Sequence, residues 1–151
     1  MSAVVAEQPV LPASAWHASL ALQFRQQARG CRLVRSTHYG PLYVQKPFYP
    51  EGADTAHVYL LHPPGGLVSG DRLSIAINLQ ADAKVLVTTP GAGRLYRARS
   101  DRTLQQQSQL FELADGAVME WLPQEMIVFP GAVGRTDTTV NMRAGSTYLG
   151  W

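Results

Sequence analysis

Apolar residues in this chain recur at every second position, and the clearest instance is the segment Arg72 to Leu79. Its apolar members are Leu73, Ile75, Ile77 and Leu79, and the residues between them are polar or small. A period of two directs alternate side chains to opposite faces of a β-strand, so one face is buried and the other meets solvent. The segment therefore predicts a half-buried strand and argues against a helix, whose apolar residues recur about every 3.6 positions.

Shorter runs of the same character occur along the rest of the chain, and glycine or proline separates most of them. The predicted strands are residues 20–24, 43–46, 57–61, 84–89, 103–113, 117–121, 126–129 and 136–142. The segment 101–113 is the best candidate for an amphipathic helix, but it is polar enough to be an exposed strand instead. No internal repeat of fixed period is evident in the sequence. The predicted fold class is therefore all-β, in one continuous domain.

The composition excludes several classes of protein. The chain has 151 residues and a formal net charge of +2, which is too small for the basic face of a nucleic-acid-binding protein. The single cysteine, Cys31, has no internal disulfide partner and is expected to be a small buried side chain. Residues 1–12 lack the features of a signal peptide, and no run of about 18 apolar residues predicts a membrane helix. A cytoplasmic protein with no membrane or nucleic-acid partner is expected.

The two ends of the chain carry separate expectations. Residues 1–15 are expected to be disordered. Residues 146–151 have the character of a strand that begins where the sequence stops, and a strand without a neighbour leaves backbone groups unpaired. This pattern favours truncation of a longer protein, although a short terminal strand at the surface is an equally acceptable interpretation.

The segment His62 to Asp71, with the sequence HPPGGLVSGD, lies between two predicted strands. Gly65, Gly66 and Gly70 permit positive φ angles and a close approach of backbone segments, and the paired prolines stiffen the entry. The segment resembles an anion-binding loop, but a Walker A loop requires Gly-Lys followed by Ser or Thr and then a helix. Nucleotide binding is therefore disfavoured, and a structural turn is favoured over a ligand site.

A second glycine-containing segment, TTPGAGRLYR, covers residues 88–97. Gly91 begins a partial match to a dinucleotide-binding fingerprint, but Tyr96 occupies the position of its third glycine. The basic residues Arg94 and Arg97 instead suggest a turn at a protein interface.

Candidate metal ligands are few. A third segment, EWLPQEMIVF, contains Glu120 and Glu125, which could serve acid and base catalysis, a metal ion or a solvated rim. The histidines lack the spacing of a His-x-x-His or His-x-x-x-His chelate, so no tight metal site is predicted. A weak, open series of carboxylate and imidazole groups along a polar passage stays compatible with the sequence. Such a series would suit an ion that must enter and also leave.

Four segments together resemble one protein family. They are GPLYVQKPFYPEG from Gly40, HVYLLHPPGGLVSGD from His57, TTPGAGRLYRA from Thr88 and EWLPQE from Glu120. In this order they resemble the N-terminal part of the urease accessory protein UreD (UreH) family. The resemblance implies an irregular β-helix-like stack of sheets with few or no helices and no catalytic activity. It also implies that residues 1–151 are the N-terminal portion of one such domain, whose C-terminal half is absent.

The same resemblance implies partners and site residues. UreD proteins bind UreF and the urease apoenzyme, and through UreF the GTPase UreG, to pass nickel towards the active site of the apoenzyme. No tightly bound cofactor is expected, and nickel(II) is expected to bind only transiently. The candidates for nickel passage are Asp71, Glu120, Glu125 and His62. The glycine-rich turns contain Gly65, Gly66, Gly70 and Gly91. The packing or interface candidates are Arg94, Tyr96, Arg97 and Trp121.

Two other classes of protein stay open. One is an enzyme that uses Glu120 and Glu125 as a carboxylate pair, although their odd separation places them on opposite faces of a single strand and Pro123 interrupts that strand. The other is a β-rich protein-interaction module with no direct metal role. The sequence does not separate this module from a transient nickel conduit, because neither requires a sharply defined set of ligands.

Overall fold

The structure is a computed structural model that describes residues 15–151. Within this range the chain forms strands and no helix, which confirms the all-β class, and so no helix there is able to cross a bilayer. The strands are β1 (His17–Gln27), β2 (Gly30–Tyr39), β3 (Tyr43–Val44), β4 (Thr55–Leu61), β5 (Arg72–Leu79), β6 (Lys84–Thr88), β7 (Gly93–Leu95), β8 (Gln105–Leu113), β9 (Val118–Trp121), β10 (Met126–Val128), β11 (Gly134–Met142) and β12 (Thr147–Gly150). Disorder was expected for residues 1–15, and residues 1–14 lie outside the described residues.

These strands form three sheets. Sheet 1 has the order β11-β8-β5-β1-β2, sheet 2 has the order β12-β9-β6-β4-β3, and sheet 3 contains β10 and β7. Neighbouring strands are parallel with two exceptions. At the edge of sheet 1, β2 pairs antiparallel with β1, and at the edge of sheet 2, β3 pairs antiparallel with β4. Parallel neighbours need a long connection, and between β5 and β8 this connection runs through the other two sheets.

The chain winds through the sheets as a β-helix. From β5 it passes through β6 in sheet 2 and β7 in sheet 3 to β8, which pairs in parallel with β5. The next coil follows the same path through β9 and β10 to β11, and the preceding coil uses β4 and a bridge between Leu67 and Leu95. The predicted β-helix-like stack is confirmed. The coils are a structural repeat that the sequence does not display, because each coil keeps only its inward apolar positions while its corners differ in length.

The apolar residues that alternate in the sequence fill the interior of the coils. In sheet 1 the inward side chains of Leu22, Ile77 and Phe111 lie side by side on adjacent strands. Phe111 is fully buried, and its ring centroid lies 5.1 Å from that of Trp121 and 6.0 Å from that of Tyr148. Burial of a side chain of this size contributes about 1.5–3 kcal/mol to folding. Inward residues of all three sheets therefore share one core.

The segment 103–113 differs from its prediction as an exposed strand. β8 lies between β5 and β11 and buries one face, including Gln105 and Gln109. The Nε2 atom of Gln105 donates to the Tyr96 carbonyl oxygen at 2.7 Å, and the Thr138 hydroxyl donates to Oε1 of Gln109 at 2.6 Å. The prediction of exposure is wrong, because hydrogen bonds with neighbouring segments offset part of the cost of burying these amides.

Two strands are missing from the sequence-based prediction. β2 is polar and exposed over most of its length, because it forms an edge of sheet 1. β7 has only three residues and lies inside a segment whose glycine and proline indicate a turn. Neither strand displays an alternating apolar pattern long enough to be recognised. By contrast, β12 confirms the strand expected at residues 146–151, and Cys31 is buried as expected.

The last strand of each sheet, β10, β11 or β12, has one edge that pairs with no strand among residues 15–151. Exposure rises towards this end of the stack. In the column of side chains along sheet 3, Leu67 is 3% exposed, Leu95 is half-buried and Val128 is 62% exposed. Among residues 15–151, the side chains of this column are therefore covered least at β10.

Candidate functional site

Two corners of the coil bring the sequence motifs together. The first, which we call the proline corner, connects sheet 2 to sheet 3 and comprises residues 62–66, 89–92 and 122–125 in successive coils. Each of these three segments contains proline. The Gln124 amide donates to the Thr89 hydroxyl at 2.9 Å and so joins two of the layers. Motifs that are far apart in the sequence are therefore neighbours in adjacent layers.

The second corner, which we call the arginine corner, connects sheet 3 to sheet 1 and comprises residues 68–71, 96–104 and 129–133. Its layers are also joined by hydrogen bonds. The Arg99 amide donates to the Ser69 hydroxyl at 2.8 Å, and the Ala98 amide donates to the Gly131 carbonyl oxygen at 3.0 Å. The motif HPPGGLVSGD thus contributes its first residues to the proline corner and its last residues to the arginine corner.

Asp71, the first candidate for nickel passage, is 7% exposed in the arginine corner and directly precedes β5. Both carboxylate oxygens accept backbone hydrogen bonds: Oδ1 from the Trp16 amide at 3.0 Å and Oδ2 from the Val68 amide at 2.9 Å. These bonds close the turn at residues 68–71 and hold the segment that leads into β1. Asp71 therefore has a structural role that the sequence spacing does not indicate. A metal ion would compete with both amide donors for this carboxylate.

His62 lies at the start of the proline corner and is half-buried. Burial lowers the pKa of its imidazole below the ordinary value of 6.5, and the negative charge of Asp71 opposes this shift. The fold therefore brings His62 and Asp71 within electrostatic reach of each other. A lowered pKa keeps the imidazole neutral at pH 7, and the neutral ring is the form that coordinates metal ions.

The lowered pKa of His62 predicts a loss of stability in mild acid. Folding favours the neutral imidazole, so its contribution is fully present above the ordinary pKa of 6.5 and is lost as pH falls through the lower pKa of the folded state. We expect His62→Gln to reduce the difference between melting temperatures measured at about pH 7.5 and about pH 5.5. The exposed His38, changed to glutamine, is the matched control and should keep the wild-type difference. Equal pH dependence in wild type and His62→Gln would contradict this role.

The two glutamate candidates lie on different surfaces. Glu120 is half-buried on the outward face of β9, opposite the core. Glu125 is exposed in the proline corner. The layer at residues 89–92 separates Glu125 from His62, and two strand spacings amount to about 10 Å. The candidates are therefore spread over two corners and one sheet face and do not form a single cluster.

Within residues 15–151, no group of three or more His, Cys, Asp or Glu side chains is arranged to hold a metal ion. Polar groups are nevertheless present in the interior. Gln105 and Gln109 are buried at the start of β8, and Oε1 of Gln105 has no hydrogen-bond partner among the described atoms. The interior of the stack near the arginine corner is therefore polar, whereas it is apolar around Phe111.

The glycine-rich turns differ in what they require. Gly65 and Gly70 have φ angles of 70° and 92°, in the left-handed region that other residues rarely adopt. A Cβ atom at Gly66 would lie 2.6 Å from the Tyr96 ring, so the missing side chain permits close packing against the residue that follows β7. At these three positions glycine supplies either a positive φ angle or space for close packing. At Gly91 nothing lies within 4 Å of such a Cβ atom, so this position does not require glycine for space.

The four packing or interface candidates occupy different environments. Trp121 is 4% exposed, so of the two roles considered for it, packing and interface, its position in the core fits packing. Tyr96 is half-buried and stacks on Phe129 with a centroid separation of 5.4 Å. Nη1 of Arg94 donates to a carbonyl oxygen of the proline corner at 3.4 Å. Arg97 is the candidate with an exposed side chain.

A cavity of about 470 Å³ lies in the arginine corner and is lined by Arg97, Ala98, Arg99, Ser100, Arg102 and Gly131. Another concavity, of about 360 Å³, lies on the outward face of sheet 1, and none of the candidate site residues predicted from the sequence lines it. Sequence reasoning missed Arg99 and Arg102. The pattern Arg-x-Arg-x-x-Arg, which begins at Arg97, is the signal that indicates them.

Comparison with known proteins identifies one family. Residues 17–151 match the family described as UreD urease accessory protein. The chain is 57% identical to the urease accessory protein UreD of Marinomonas sp. (strain MWYL1), over 95% of this chain and 46% of that protein. UreD proteins of Psychromonas ingrahamii and Saccharophagus degradans are 48% and 45% identical, over 100% of this chain and 51% and 53% of theirs. The chain thus spans about half the length of these curated relatives.

Proposed function

Because this chain belongs to the UreD family of urease accessory proteins, we propose that it is a scaffold for nickel insertion into the urease apoenzyme, in a complex with UreF and, through UreF, UreG. The family match over residues 17–151 is the observation that carries the proposal. The family is a urease maturation factor and not an enzyme. The chain spans about half of its relatives, so this role is proposed for the whole protein. The proposed location is the cytoplasm, in agreement with the single unpaired Cys31.

The architecture supports a scaffold. Parallel ladders hold the three sheets in a fixed arrangement, and the functional candidates lie mainly on the corners that connect them. Loops on a rigid framework commonly carry binding residues, because the framework fixes the positions of these residues before a partner binds. The proline corner and the arginine corner are therefore the surfaces best suited to contact UreF or the apoenzyme.

In this proposal nickel(II) is cargo that binds weakly and moves on. His62 offers a neutral imidazole, and Glu125 offers an exposed carboxylate further along the same corner. Ligands that are spread along a surface hold an ion in succession and do not trap it. The charge of Asp71 acts on His62 electrostatically, although its oxygens are engaged by backbone amides. His62 and Glu125 are for this reason the stronger candidates for direct contact with the ion.

The alternative is a β-rich interaction module with no direct metal role. The engagement of Asp71 and the separation of the other candidates favour it. Equilibrium dialysis of the protein against nickel(II), alone and with UreF, distinguishes the two functions. Nickel retained by the wild type and reduced in His62→Ala with Glu125→Ala would support a conduit, whereas no retention in either sample would favour the module.

Co-expression with UreF and urease apoprotein tests the accessory role itself. We expect the protein to co-purify with UreF and the apoenzyme, and nickel-dependent urea hydrolysis to appear only when it is present. The control is the same expression system without this protein, supplied with the same nickel concentration. Full urease activation in that control, together with no recovered complex, would contradict the proposed function.

A further inference from the structure

Three arginines surround the cavity of about 470 Å³ in the arginine corner: Arg97, Arg99 and Arg102. The carboxylate in the same loop is Asp101, whose Oδ2 atom lies 3.8 Å from Nε of Arg99. Positive charge therefore exceeds negative charge in this loop. Guanidinium groups bind carboxylate and phosphate oxygens through pairs of N–H donors, so the cavity has the chemistry of an oxyanion site.

Asp101 is held by its own loop and does not neutralise the other arginines. The Thr103 amide donates to Oδ1 of Asp101 at 2.9 Å. Hydrogen bonds from Thr103 lower the pKa of this carboxyl, and the charge of Arg99 adds to the effect. Within residues 15–151, the side chains of Arg97 and Arg102 form neither a hydrogen bond nor an ion pair. Among the described residues, nothing therefore engages the donors of these two side chains.

The backbone positions both of these arginines. Gly131 has a φ angle of 80°, and a Cβ atom there would lie 3.2 Å from Cγ of Arg97, so glycine lets the Arg97 stem lie against the backbone. Arg102 has a φ angle of 54°, and its amide donates to the Arg99 carbonyl oxygen at 2.9 Å. A left-handed conformation costs a non-glycine residue about 1–2 kcal/mol. Such strain is typical of positions where a side chain has a function.

Exposed apolar side chains lie within two residues of the cavity-lining residues in the sequence and indicate what kind of ligand the corner takes. Leu104 follows the arginine loop, Phe129 precedes Gly131, and both are exposed. Phe129 also stacks on Tyr96, which gives the corner a flat aromatic surface. A free inorganic anion gains nothing from these groups, whereas protein interfaces combine arginine with aromatic and aliphatic contacts. The surroundings therefore favour a protein segment that carries both carboxylates and apolar side chains.

We propose that this cavity is a carboxylate-binding site for an acidic segment of a partner protein. Arg97 and Arg102 donate charge-assisted hydrogen bonds to the carboxylates of that segment. Leu104 and Phe129 pack against its apolar side chains. The proposal rests on the proposed function, because it names the chemistry of the partner segment at one of the two corners suited to contact UreF or the apoenzyme. Its test requires neither nickel nor urease activation, so failure of this site is distinguishable from failure of the proposed function.

The test measures binding of a fluorescein-labelled peptide of alternating glutamate and leucine to the full chain by fluorescence anisotropy. The double variant Arg97→Glu with Arg102→Glu is expected to bind at least about ten-fold more weakly than wild type. The matched control, Arg29→Glu with Arg35→Glu, changes the net charge equally at exposed arginines outside the corner and should bind within about two-fold of wild type. Equal losses in both double variants, or no binding by wild type, would overturn the proposal.

A second pair of substitutions and a second probe sharpen the result. Arg97→Gln with Arg102→Asn removes both charges, and asparagine adopts a positive φ more readily than most residues, so this pair preserves the turn. Weaker peptide binding at an unchanged melting temperature supports the proposal, and wild-type affinity in this pair overturns it. Inorganic phosphate is the second probe. If phosphate binds as tightly as the peptide and displaces it, the cavity is a small-anion site and the assignment to a protein segment is wrong.

Discussion

Replacing Asp71 with alanine is expected to lower the free energy of unfolding by about 2–4 kcal/mol, because two part-buried backbone amides lose their acceptor. The amides belong to Trp16 and Val68, so the change loosens both the turn at residues 68–71 and the entry to β1. The melting temperature should fall by about 5–15 °C for a protein of this size. Thermal unfolding followed by circular dichroism measures the effect.

Asp115 supplies the control for this prediction. Its side chain is exposed in a turn between β8 and β9, and Asp115→Ala should leave the melting temperature within about 1–2 °C of wild type. Asp71→Asn keeps one carbonyl oxygen and should lose about half as much stability as Asp71→Ala. A wild-type melting temperature for Asp71→Ala would show that the two hydrogen bonds do not hold the corner.

The same substitution separates two roles of Asp71 in urease activation. If Asp71 takes part in the proposed nickel passage, Asp71→Ala should weaken activation while assembly with UreF stays intact. The hydrogen bonds predict instead that complex recovery and activation fall together, since the corner itself is loosened. Activation per amount of recovered complex is the deciding quantity. Normal activation per complex would remove Asp71 from the nickel passage and leave its structural role.

Replacing Phe111 with alanine is expected to cost about 3–5 kcal/mol, a loss at least as large as that for Asp71. Phe111 is 0% exposed and contacts the rings of Trp121 and Tyr148, which come from the other side of the coil in sheet 2. The cavity left by the Phe111→Ala substitution would lie between sheet 1 and sheet 2 and remove the contacts of Phe111 with Trp121 and Tyr148. We expect chemical denaturation to show a lower midpoint and the Trp121 fluorescence to report a wetter environment.

The neighbouring Leu110 is the matched control for Phe111. It is 41% exposed on the outward face of the same strand, so Leu110→Ala should cost less than about 1 kcal/mol. The contrast tests which face of β8 is buried. Similar losses at both positions would mean that β8 does not present Phe111 to the core in the way described.

The candidate site was only partly accessible to sequence reasoning. The motif HPPGGLVSGD drew attention to Gly65, Gly66 and Gly70, and in the structure these positions have a positive φ angle or little space for a side chain. For Trp121 the sequence left packing and interface roles open, because an aromatic side chain suits both; only its burial in the fold separates them. Arg102 escaped notice because the pattern Arg-x-Arg-x-x-Arg does not by itself show that its three side chains surround one cavity.

The sequence by itself determined the class of the fold, most of its strands and the family. Alternation in segments such as Arg72 to Leu79 is local, since the pleat of a strand sends successive side chains to opposite faces whatever the partner strand is. Turn residues are equally local, because proline and glycine restrict or release the backbone at their own positions. These features can be identified without knowing which segments become neighbours.

Only the tertiary structure decided which strands pair and what meets at the corners. Parallel pairing joins β5 to β8 and β8 to β11 through hydrogen bonds between segments that are distant in sequence, and the length of each corner sets the register. This pairing of successive coils stacks three proline-containing turns, directs the carboxylate of Asp71 to two amides, and places three arginines around one cavity. The physical reason is that these contacts depend on distances across the coil, which no local pattern of residues records.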